Sequence, residues 1–184
     1  MTVLTSSSIH GRSKTIEDTE KALEGILPNR TAYMIHELLP SDSDSSSKEN
    51  TPTRFIGLVT LRPIGPKDLV LPDHFFPSST LSPGCLKMEL GYGFLPVAWG
   101  KGYATEAVKT VLEACGKERK LWDAFEKVFV RAIVNEENTA SQRVLAKTEM
   151  KELGVHTWDG DGLWLAGKWR TRDRLRIYGM FVVE

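Results

Sequence analysis

This sequence predicts an α/β (α+β) fold in a single domain, and three observations predict it. Short apolar or alternating runs bounded by turn residues occur at 31–39, 54–61, 86–95 and 125–134, and again after residue 151. Apolar residues at three- and four-residue spacing stand between them, at 15–27, 104–115 and 138–147. At one strand-to-helix joint lies Trp99-Gly100-Lys101-Gly102-Tyr103-Ala104-Thr105-Glu106-Ala107, whose paired glycines mark a close turn.

In order, residues 1–13, with Ser6-Ser7-Ser8, carry no periodicity and are expected to be loose; residues 14–184 form the domain. Thr15 and Asp18 open a helix that places Ile16, Leu23, Ile26 and Leu27 on one face; Gly25 weakens it and Pro28 ends it. Thr31 to Leu39 and Arg54 to Leu61 read as a hairpin whose polar, low-complexity tip at 40–53 is expected to be mobile. Residues 62–84 hold five prolines and no period, an irregular excursion. Leu69, Val70, Leu71, Phe75 and Phe76 are too apolar for a solvated loop, so the excursion either walls an acceptor site or packs on the core. Leu86 to Leu95 is a strand. Ala104, Ala107, Val108, Val111, Leu112 and Cys115 make the next helix, which Gly116 is expected to stop. Phe125 to Val134 reads as a buried strand and Asn138 to Lys147 as a short helix. Lys151 to Trp158 and Trp164 to Trp169 are expected strands about an Asp159-Gly160-Asp161-Gly162 turn, and Arg174 to Val183 closes the chain.

Lys+Arg and Asp+Glu balance at 24 each, so no net charge draws nucleic acid or an anionic membrane. Cys85 and Cys115 are too few and too far apart for a disulfide scaffold or a zinc site. The Asp-Gly-Asp-Gly segment lacks the spaced carboxylates and final Glu of a calcium loop, and no metal is expected. No apolar run approaches about 18 residues and no signal pattern opens the chain, which predicts a soluble protein, cytoplasmic or nuclear, with cytoplasmic the expected location.

The glycine corner carries the chemistry. Gly100 and Gly102 let a backbone wrap closely round a ligand, and the first N–H groups of the following helix lack partners and carry partial positive charge. A phosphate or diphosphate suits such a corner. The P-loop pattern fails because Lys101 precedes its second glycine, and the dinucleotide pattern fails for want of a third.

What remains resembles the pyrophosphate loop of the GNAT superfamily of N-acetyltransferases, Gln/Arg-x-x-Gly-x-Gly/Ala, with Trp99 first, Gly102 fourth and Ala104 last. Trp99 in place of Gln or Arg, followed by Tyr-Ala-Thr-Glu-Ala, is most similar to the branch that acetylates ribosomal-protein N-termini. Asn135 to Ser141 resembles the family's Asn-x-x-Ser segment after the fifth strand. The resemblance covers roughly residues 14–181, with the specific motifs at 86–154. It implies a mixed, mostly antiparallel twisted sheet with helices on both faces. It also implies a splay between the family's fourth and fifth strands that takes the pantetheine arm of acetyl-CoA. Family members begin with a strand before the first helix. Here only Met1 to Thr5 precedes it, so that strand is missing, replaced or supplied by another chain.

By the same resemblance, Phe94, Leu95 and Val97 pair with the arm, while Pro96 lacks an N–H. Trp99, Gly100, Lys101, Gly102, Tyr103, Ala104 and Thr105 hold the diphosphate. Asn138 holds a cofactor amide or simply caps its helix. Ser141 returns a proton to the leaving thiolate, or is a plain helix hydroxyl. Glu89 is the general base, directly or through water, unless it is a solvent-facing strand residue. The N–H of Leu90 or Gly91 polarises the thioester carbonyl. Tyr92 is expected on the face of Glu89, aligning the acceptor. Trp158, Trp164 and Trp169 are expected to pack the sheet, and Arg170, Arg172, Arg174 and Arg176 to form a solvated strand edge. With neither cysteine at the chemical centre, acetyl passes directly to a primary amine, a peptide N-terminus or a small molecule, in a ternary complex. A catalytically silent module binding CoA or acetyl-CoA is the contrasting expectation. The assembly expected is a monomer or homodimer.

Overall fold

The computed structural model describes residues 31–39, 52–66, 68–165 and 168–184. The loose N-terminus, the first helix, a strand at Met1 to Thr5 and most of the 40–53 tip are expectations that lie outside these residues. Among the described residues six strands form one sheet: β1 (Thr31–Leu38), β2 (Thr53–Pro63), β3 (Cys85–Phe94), β4 (Lys127–Asn135), β5 (Lys151–Leu165) and β6 (Lys168–Val183), in the order β1-β2-β3-β4-β6-β5. Every neighbouring pair is antiparallel except β3 with β4. Two helices are described, α1 (Tyr103–Lys117) and α2 (Thr139–Leu145). None is long and apolar enough to cross a membrane.

Period-two alternation divides the sheet's side chains between two cores. Met88, Leu90, Tyr92 and Phe94 of β3 and Val128, Val130, Ala132 and Val134 of β4 face α1, which returns Ala107, Val108, Val111, Leu112 and Cys115 at helical spacing. Leu145 of α2 joins the same cluster. On the other face Leu175 and Ile177 of β6 pack with Leu71 and Phe75, so the excursion is a packed cover built on two 3-10 turns, Asp73–Phe75 and Ser78–Leu81. Phe75 can lie flat there because Gly154 has no Cβ: one placed at Gly154 would sit 2.7 Å from the ring.

Three expectations need correction. The 104–115 helix does not stop at Gly116 but continues to Lys117; a Cβ at residue 116 would stand 3.0 Å from the carbonyl oxygen of Val182, so the glycine serves close helix-to-strand approach. The Asp159–Gly162 segment is not a turn. β5 runs straight through it with a register shift between Asp159 and Leu163, and the chain reverses between Leu165 and Lys168, so Trp164 to Trp169 spans the reversal instead of forming a strand. The C-terminal arginines are not simply solvated: Arg170 meets Glu137 and Asp173, Arg172 meets Asp159, Arg174 meets Glu136, and Arg176 meets Glu136 and Glu152.

Candidate active site

The sheet opens along one line. β3 and β4 pair in parallel from Cys85↔Lys127 to Glu89↔Arg131. Beyond that rung β3 continues to Phe94 beside β2 alone, and β4 to Asn135 beside β6 alone. The last rung is tied by charge. Glu89 accepts from Arg131 Nε at 3.0 Å and from Arg62 Nη2 at 2.5 Å, one carboxylate oxygen each. Arg62 also donates to Asp68 at 2.6 Å, and Arg131 to the Leu69 carbonyl at 3.1 Å. Glu89 and Arg131 are buried, where unpaired charges are costly, and here each has its partner. The plain reading of Glu89 as a solvent-facing residue therefore fails. Arg131 Nη2 also lies 2.9 Å from Glu89 but is not aligned as a hydrogen bond, so that contact is a Coulombic one.

Which main-chain groups of β3 face the gap follows from antiparallel alternation. The carbonyls of Lys87 and Gly91 and the N–H of Leu95 bond toward the β2 side, to Ile64 N–H, the Thr60 hydroxyl and the Ile56 carbonyl. Even-numbered residues therefore turn the other way: Leu90 at the fork, then Tyr92 and Phe94 beyond it. Of the two donors expected for the thioester carbonyl, Gly91 is directed away from the gap, and the Leu90 N–H is taken by the Arg131 carbonyl in the last parallel rung, so neither is free there. Leu95 does not offer its amide to the gap, and the Phe94 carbonyl accepts the Trp99 indole N–H at 2.8 Å. Val97 lies in a 3-10 turn, Pro96–Ala98, outside the strand.

That turn delivers the chain into the glycine corner. Gly100 and Gly102 have φ of 74° and 86°, the left-handed region, and a Cβ at either would meet nothing within 4 Å. Gly102 caps α1 without a side-chain hydrogen bond, and its carbonyl takes the N–H groups of Thr105 and Glu106. The N–H groups of Tyr103 and Ala104 thus precede the first bond of the helix. Open space, glycine backbone and a helix N-terminus of fifteen residues together fit a diphosphate. Lys101 is half-exposed, 3.6 Å from Glu37, with its ammonium 5.9 Å from the centre of the Tyr103 ring.

Across the gap, Asn138 caps α2. Its Oδ1 accepts from the Ser141 N–H at 3.1 Å and its Nδ2 donates to Ser141 Oγ at 2.9 Å. The buried Ser141 hydroxyl thus has its oxygen occupied and its proton free to donate. Tyr92 does not share the face of Glu89: it lies three positions on, an odd offset, so the two project to opposite faces. The Tyr92 hydroxyl instead donates to the Ser141 carbonyl at 3.2 Å, and burial pushes its pKa up to about 12. Both cysteines are buried, Cys85 at the start of β3 and Cys115 near the end of α1. Sequence reasoning missed Arg62, Arg131 and Glu37. Arg131 left a signal, a lone charge in the apolar run 128–134; Glu37 left none, since its partners come from distant segments.

The family described as acetyltransferase (GNAT) domain matches residues 5–151. A comparison with curated proteins finds no match. Among solved structures, the Vibrio cholerae spermidine N-acetyltransferase in complex with CoA and spermine aligns over 94% of this chain and 79% of its own, at 14% identity and a TM-score of 0.55. Mycobacterium smegmatis RimJ in complex with CoA-disulfide aligns over 90% and 59%, at 18% identity and a TM-score of 0.50. A GNAT-family acetyltransferase from Bacillus anthracis aligns over 70% and 59%, at 22% identity and a TM-score of 0.43. The chain thus spans 59% of the length of each of the last two. At these identities the likeness is one of fold.

Proposed function

This chain belongs to the GNAT acetyltransferase family, and from that premise we propose that it transfers an acetyl group from acetyl-CoA directly to a primary amine in the cytoplasm, without a covalent enzyme intermediate. One observation carries the reading: β3 and β4 part after Glu89↔Arg131, and the freed length of β3 leads into an open glycine corner at a helix N-terminus. The corner holds the diphosphate through the N–H groups of residues 100–104, with Lys101 near the phosphates; the Thr105 N–H is already taken by the Gly102 carbonyl. Tyr92 and Phe94, the first residues of β3 beyond the fork that face the gap, offer main-chain groups to the pantetheine arm and its thioester carbonyl; the Leu90 N–H is already paired with β4. The sheet separates the two proton-handling sides. Ser141 faces the leaving sulfur from the helical side. Its proton is donated as a hydrogen bond; neither it nor Tyr92, at about 12, is acidic enough to protonate a thiolate outright. Glu89 stands on the opposite side and takes the acceptor's proton directly or through a bridging water: each of its oxygens accepts one guanidinium bond and keeps a second lone pair.

The acceptor is a peptide N-terminus or a small-molecule amine. Incubating the full chain with acetyl-CoA and a panel of both, with free thiol as readout, tests the reading. Amine-dependent thiol release is expected. Binding of CoA with no release toward any amine would leave a silent carrier-binding module.

A further inference from the structure

A carboxylate reaches the anion corner from outside it. Glu37, on the edge strand β1, accepts from the Tyr103 hydroxyl at 2.7 Å and from Arg54 through Nε at 3.1 Å and through Nη2. Its carboxylate is also 3.6 Å from the Lys101 ammonium. Arg54 is its register partner on β2, Lys101 stands between the two left-handed glycines, and Tyr103 is the first residue of α1. A guanidinium, an ammonium and a phenol hydroxyl are donors that suit a phosphate oxygen. All three already converge on an acid. The acid is the inner member, its side chain 13% exposed, against 44% for Arg54 and 46% for Lys101.

We propose that Glu37 sets the affinity of the corner by acting as an internal anion that competes with a phosphate of the carrier for Lys101 and Arg54. The proposal rests on the reading of that corner as a diphosphate site. Two cations and one anion leave one net positive charge beside the loop, and removing the carboxylate's charge leaves two. The neutral isostere Glu37→Gln keeps an oxygen to accept from Tyr103 while releasing both cations. It is expected to bind CoA about three- to ten-fold more tightly, with a steeper loss of affinity as salt rises. Lys101→Gln is expected to weaken CoA binding by less than about two-fold in the natural chain and by several-fold in the Glu37→Gln background, because only there is the ammonium unclaimed.

The experiment is calorimetric titration of CoA into the full chain and the three variants at low and high salt, with a melting temperature for each. Equal or weaker binding by a folded Glu37→Gln variant overturns the proposal and makes the residue a latch between β1 and the loop. Should that variant not fold, Lys101→Gln alone decides: a loss under two-fold supports competition, and a larger loss overturns it. Failure of every chain, the natural one included, to bind CoA removes the diphosphate reading and this inference with it.

Discussion

Gly102 is where a single residue decides most. Its φ of 86° excludes side chains on strain alone, and the open space above it is what an anion requires. Gly102→Glu brings both strain and a negative charge to the helix N-terminus. CoA binding should fall below detection in a titration, while the melting temperature moves by a few degrees, because no Cβ contact is lost or made there. Glu89 behaves differently, since it is bound into the core. Glu89→Gln leaves the buried Arg131 guanidinium without its counter-charge, while Arg62 keeps Asp68, a loss of about 3 kcal/mol or more. At roughly 2–4 °C per kcal/mol for a chain of this size, the melting temperature should drop by roughly 6–12 °C, with turnover lowered as well. Glu37 supplies the acid limb. Donation by Tyr103, then by Arg54, holds its pKa down to about 2 against an ordinary 4.5. A lowered folded value means that the stabilisation is whole above pH 4.5 and is lost as the pH falls through 2. Urea unfolding at pH 5 and pH 2.5 should therefore show a smaller decline for Glu37→Gln than for the natural chain.

Elements were legible where one segment's own pattern fixed them. The apolar run 86–95 and helical spacing in 104–115 describe β3 and α1 to within two residues, because each buries a continuous face. They were not legible where a distant segment decides. Gly116 reads locally as a stop, yet the carbonyl of Val182 is what requires it; Asp159–Gly162 reads as a turn, yet pairing with β6 carries β5 through it as a bulge. The site divides in the same way. The glycine corner is contiguous and was readable. The gap was implied by family resemblance alone, and Glu89 and its two arginines come from three separate strands. The packed state of the 62–84 excursion also depends on a remote residue, Gly154. Its φ of 146° and the Phe75 ring leave no room for a methyl group, so Gly154→Ala should destabilise by about 1–3 kcal/mol in chemical denaturation. Pairing it with Phe75→Leu should recover part of that loss; no recovery would mean that backbone strain, and not the ring, sets the cost.

At the scale of the molecule, the described sheet is two three-stranded halves, β1-β2-β3 and β4-β6-β5, joined in the plane, among the described residues, only by the parallel ladder that ends at Glu89↔Arg131. α1 packs across both, its buried residues sharing one cluster with β2, β3, β4 and β6. Such a design holds the halves at a fixed fork while leaving main-chain groups on the inner edge of β3 for a ligand to complete. The consequence can be read amide by amide. Gly93 and Leu95 sit in the antiparallel ladder with β2 and should exchange slowly with or without ligand. Tyr92 and Phe94 face the gap and should exchange faster in the free protein, then slow markedly when acetyl-CoA is added. Hydrogen exchange resolved to single residues by NMR measures this alternation directly. Slowing of all four amides together would indicate general stiffening and not a bound pseudo-strand. Protection of Tyr92 and Phe94 before any ligand is added would mean that the inner edge is already paired, and that the gap is no binding site.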